Sequence, residues 1–60
     1  MPQIRPRIEK CIEGLKESSA ELRIAAEETE NEQARNAFNQ TARMADECVQ
    51  KCQIALNQLK

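Results

Sequence analysis

The side chains of this 60-residue chain best suited to chemistry are three cysteines, Cys11, Cys48 and Cys52. Cys48 and Cys52 are four apart, so a helix would place both thiols on one face. Three thiolates gathered within one or two helical layers suit a soft ion such as Cu(I), or part of a zinc site. Against a tetrahedral site stands the absence of any histidine. Cysteine is also among the small residues most readily buried, so filling a core is the plainer expectation for all three. An odd count in a chain with no export signal points to reduced thiols rather than a disulfide framework.

Other chemistry has less to stand on. Glu9, Glu13, Glu17 and Glu21 recur at four-residue intervals, but a di-iron bundle needs Glu-x-x-His partners, and a solvated helix face accounts for them. Ser18 and Ser19 have no base in view and read as small residues that let helices approach. With no His, no Tyr and a single Gly, neither a catalytic dyad nor a glycine-rich loop is available, and the chain reads as non-enzymatic with no cofactor. Nine basic and ten acidic residues give a net charge of −1, with no basic arm and no aromatic stacking platform for nucleic acid. No apolar run approaches the roughly 20 residues that span a bilayer. The polar faces carry mixed charge, unlike the basic face of a membrane-surface helix. Nothing resembles a signal peptide, so a cytoplasmic location is expected.

The elements that would position the thiols are two helices. Ile8, Ile12, Leu15, Ser19, Leu22, Ala26 and Thr29 alternate in steps of four and three, and so do Phe38, Ala42, Ala45, Val49, Cys52, Leu56 and Leu59. Both stripes are the seams of helices that bury one side. Pro6 is tolerated only in a first turn, which starts helix one near residues 3 to 6, after a short lead-in over residues 1–5. Gly14 either admits a neighbouring helix or is a tolerated cost of about 1 kcal/mol against alanine. The second stripe is out of phase with the first by two residues, neither of the usual heptad discontinuities. Thr29-Glu30-Asn31-Glu32 also matches a capping box, Thr29 capping and Glu32 reaching back.

The expected fold is therefore all-α: one domain over residues 1–60, an antiparallel hairpin with helix one at about 4–29, a turn at about 29–32 and helix two at about 32–59. Pairing Thr29 with Ala34 makes facing residue numbers add to 63. That register sets Leu22 against Thr41, Leu15 against Cys48, Cys11 against Cys52 and Ile4 against Leu59.

The apolar stripes are about three positions per heptad wide, broader than one partner helix can cover. So short a chain, with one Phe and no Trp or Tyr, also has little interior of its own. Both features predict a homodimer, two hairpins closing a four-helix bundle, with another protein as an alternative partner. The expected core and interface residues are Ile8, Ile12, Leu15, Leu22, Phe38, Val49, Leu56 and Leu59. Ile24, Met44 and Ile54 lie off the stripes, as scattered exposed apolar residues commonly do.

The run from Ile12 to Val49 resembles a short, uncharacterised helical family of spore-forming Firmicutes. The likeness rests on Leu15-Lys16, Ser19, Leu22, Thr29-Glu30, Ala34, Phe38, Ala42 and Val49, and runs through most of the chain without a gap. It implies a helical fold and a sporulation setting, but no activity, since the family is a domain of unknown function. The three cysteines depart from its pattern. Separately, the Cys-x-x-x-Cys of residues 48–52 has a slight likeness to copper-storing helical bundles, which carry many more cysteines. The function expected is a small structural or protein-interaction module; the alternative is a thiol metal-binding bundle using Cys11, Cys48 and Cys52.

Overall fold

The computed structural model describes residues 3–59 and shows two helices folded back on one another. They are α1 (Ile4–Glu28) and α2 (Glu32–Asn57), packed as a rod 48 Å long. Met1, Pro2 and Lys60 lie outside the described residues, so the start of the expected lead-in is not addressed. Pro6 falls in the first turn of α1, where no intrahelical acceptor needs its missing N–H. The second helix ends at Asn57, two residues short of expectation, and Gln58 and Leu59 close its last turn by donating to Ala55 and Leu56.

The turn needs no glycine because it does not enter the left-handed region. Thr29 and Asn31 are both extended, at φ −81° and −82°, and no described residue has a positive φ. The cap differs from expectation. Asn31, not Thr29, caps α2: its Oδ1 accepts from Ala34 N at 2.9 Å, two residues later than the Thr-x-x-Glu box implied. Thr29 instead accepts from Asn31 N through Oγ1, at 3.1 Å, and so shapes the loop that delivers the cap. Both are good capping types, and the one adjoining the first helical residue takes the role.

Both 4-3 stripes are the lines of burial. Ile12, Ser19 and Ala26 of α1 are buried, as are Ala42, Val49 and Leu56 of α2. Ile8, Leu15, Leu22, Phe38, Ala45 and Cys52 flank them half-buried. Ile12, Val49 and Leu56 form the apolar centre, against which Ile8, Leu15 and Cys52 pack. Near the turn, Ala26 and Ala42 are almost wholly enclosed (2% and 0% exposed), their small side chains letting the backbones close up.

The register is two residues from the expected one. Cross-helix hydrogen bonds join Arg5 to Leu56, Ser19 to Ala42 and Arg35 to Ala26; the residue numbers of each pair add to 61, as do those of buried Ile12 and Val49. The pairing at 63 follows the flank of the stripe, whereas the helices turn its edge, residues 12/19/26 and 42/49/56, toward each other. Polar bonds on that side account for the choice. Arg5 Nη2 donates to Leu56 O at 2.9 Å, at the C-terminal end of α2. Arg35 donates to Ala26 O and Thr29 O at the C-terminal end of α1. Neither helix has a basic residue in its own last turn. Each borrows an arginine from the other helix to satisfy carbonyls that face its negative end.

Candidate functional site

Two flanks of the hairpin differ sharply in chemistry. On one, Ser19 is buried (3% exposed) and its hydroxyl donates to Asp46 Oδ1 at 2.7 Å. Arg23 donates to the same Ser19 Oγ and, through Nη2, to Asp46 Oδ2 at 2.7 Å. The Arg23 guanidinium, and next the Ser19 hydroxyl, hold the Asp46 carboxyl below its ordinary range. Serine, aspartate and arginine here form a closed structural knot. The hydroxyl is committed to a carboxylate whose proton affinity the Arg23 guanidinium lowers.

The other flank is where the sequence-derived candidates gather. At 3.6 residues per turn, Ile4, Ile8, Cys11, Leu15, Ser18, Leu22 and Ala25 lie on the side of α1 away from Arg5 and Arg23, with Thr29 just past the helix end. By the same spacing Ala34, Phe38, Thr41, Ala45, Cys48, Cys52 and Ala55 lie beside them on α2, with Leu59 just past its end. These sixteen positions carry no charge, in a chain where 32% of residues are charged; Arg7, about five turns before Ala25, is the charged residue that borders them at the open end. They are the set expected to face one another across the hairpin. They instead form an open face along its length, because the helices meet through the adjoining edge.

That placement sorts the expected core. Ile12, Val49 and Leu56 are buried within the chain; Ile8, Leu15, Leu22 and Phe38 are half-buried on the open face. Leu59 is 38% exposed just past the end of α2. Even the polar members of the face suit burial: Thr41 donates its hydroxyl to Ala37 O in its own helix, at 2.9 Å. Ile24, Ile54 and Met44 are exposed as well. The signal for the open face was present in the sequence as stripe width, which the single hairpin leaves half unsatisfied.

The cysteines share this face without meeting as a site. Cys11 and Cys48 are exposed and Cys52 is half-buried; all three are free. Among the described residues no three His, Cys, Asp or Glu side chains stand together as metal ligands. Core filling, the plainer expectation, describes Cys52 alone, which packs against Ile12, Val49 and Leu56. With the register at 61 rather than 63, Cys11 falls level with Gln50, between the two α2 cysteines. Gly14 admits no neighbour within the chain, since a Cβ built there meets nothing within 4 Å. Among the described residues no helix is long and apolar enough to cross a membrane.

Surface area carries the same message as chemistry. The chain exposes 4974 Å2, about a quarter more than the roughly 4,000 Å2 of a compact monomer of this mass.

The fold is that of a small two-helix hairpin. The family of proteins of unknown function DUF1657 matches residues 8–53, and the chain belongs to it. No curated protein and no solved structure matches the chain.

Proposed function

We propose that the hairpin is a non-catalytic packing module whose uncharged face associates with a second copy to complete a four-helix bundle, in a structural or protein-interaction role. The observation that carries this reading is the open face itself: sixteen uncharged positions on one side of a strongly charged rod. A standard interface removes about 800 Å2 from each partner, close to the roughly 1,000 Å2 by which this chain exceeds a compact monomer. The lack of histidine, tyrosine and a glycine-rich loop, with the buried serine committed to Asp46, supports a role without catalysis. A sporulation-linked setting accords with the family likeness carried by Leu15, Leu22 and Phe38, and a cytoplasmic one with helices too polar to cross a membrane among the described residues.

Native mass spectrometry of protein purified under reducing conditions without chelator tests the proposal. A metal-free species at twice the 6.8 kDa chain mass is expected. A monomer at micromolar concentration overturns the dimer, and a stoichiometric copper or zinc adduct overturns the metal-free role by making the thiols the working groups.

A further inference from the structure

Resting on the proposed dimer, we infer its arrangement: the two hairpins stack with their ends exchanged, α1 lying antiparallel on the partner's α1 and α2 on the partner's α2. Two all-antiparallel ways exist to close the open face on a second copy. In one, turn lies over turn and α1 lies on the partner's α2. In the other, turn lies over open end and like helices meet.

The charges bordering the face decide between them. Along the outer edge of α1, Arg7 and Lys10 lie toward the open end, while Glu17, Glu21 and Glu28 lie toward the turn. A row that changes sign along its length complements itself toward its ends when a copy is laid on it reversed, while Glu17, next to the axis, stands beside its own copy. With the twofold axis at the middle of the rod, residue numbers facing across the α1 pair add to about 32. Lys10 then stands beside Glu21 of the partner subunit, twice per dimer. The turn-over-turn alternative keeps the register of the hairpin between α1 and the partner's α2, at about 61. It sets Lys10 against the partner's Lys51, like charge on like.

Shape agrees with charge. A shallow groove lined by Gly14, Glu17, Ser18, Glu21, Leu22 and Ala25 runs along α1 alone, not between α1 and α2. It therefore seats a helix lying along α1. At a sum of 32, Gly14 faces the partner's Ser18, so the glycine that has no use inside the chain marks the close approach. On α2 the facing numbers add to about 90. Ala45 meets its own copy on the axis, and Phe38 reaches the partner's Cys52, large against small.

The thiols make the arrangement readable. With ends exchanged, the nearest thiols of the two copies, Cys48 and the partner's Cys48, are six residues out of register, about 9 Å along the helix axis and beyond disulfide reach. In the turn-over-turn alternative, Cys11 lies between Cys48 and Cys52 of the partner subunit, within reach of a disulfide. Treatment with diamide, which takes up the two protons and two electrons of each dithiol, is expected to leave the natural chain uncrosslinked between copies. Ala45→Cys in a chain with Cys11, Cys48 and Cys52 all changed to Ser is expected to give a covalent dimer on a non-reducing gel. A second measurement stays independent of those substitutions. By sedimentation, Lys10→Glu and Glu21→Lys should each weaken dimerisation about fivefold, and the double reversal should restore it. A dimer that crosslinks through its natural cysteines, fails to crosslink through Ala45→Cys, or is strengthened by Lys10→Glu overturns this arrangement while leaving the bundle standing. A chain that is monomeric throughout overturns both.

Discussion

Single residues in this hairpin settle questions that composition leaves open, and the knot at Ser19 shows how. A serine on an apolar stripe reads as a small spacer; in place, it is a buried hydroxyl fixed between Arg23 and Asp46. The pair is half-exposed, so its worth is modest and screened by salt, but its geometry fixes which edges of the helices meet. Its signature is a pH dependence. Asp46 is held below its usual value of 3.8 by Arg23 and Ser19. The knot therefore contributes stability that is fully present above about pH 4 and lost as pH falls through the lowered folded value. The thermal midpoint of the natural chain should accordingly drop further between about pH 5 and about pH 2 than that of Asp46→Asn. Parallel midpoints for the two chains, followed by circular dichroism, would show that the knot contributes nothing. Other acidic residues titrate in both chains, so the difference isolates this one group.

At the scale of elements, periodicity was legible and local geometry was not. The 4-3 stripes of both helices are the buried lines because burial on one side imposes that period whatever covers it. The cap was misread because Thr29 and Asn31 are both capping types two residues apart, and only the position of the turn decides which adjoins the helix. The arginines that close each helix from the other were invisible to local reading: Arg5 and Leu56 are 51 residues apart in the chain. The two-residue shift in register followed from these long-range bonds. The cap makes a clean test. Asn31→Ala should cost about 1 kcal/mol in urea unfolding, whereas Thr29→Ala loses one exposed bond within the loop and should cost about 0.5 kcal/mol. Equal losses, or a larger one at Thr29, would restore the capping box that the sequence implied.

For the whole molecule, the question is which apolar residues serve the chain and which serve an assembly. Stripe width announced more than one partner, but no sequence pattern says which edge of a wide stripe the hairpin uses for itself. The structure makes that division: Ile12, Val49 and Leu56 are enclosed within the chain, while Leu22 and Phe38 stand half-covered on the open face. Truncations at the two sets should therefore fail in different ways. Ile12→Ala removes a buried side chain and should cost about 2–4 kcal/mol at every protein concentration. Phe38→Ala should leave the dilute hairpin far less affected. A dimer that binds only the folded chain raises the melting temperature with concentration, and Phe38→Ala should abolish that rise. Melting curves over a hundredfold range of concentration separate the two. If Phe38→Ala lowers the midpoint by the same amount at every concentration, Phe38 belongs to the interior of the single chain. The open face would then owe its uncharged character to packing within the hairpin and not to a second copy.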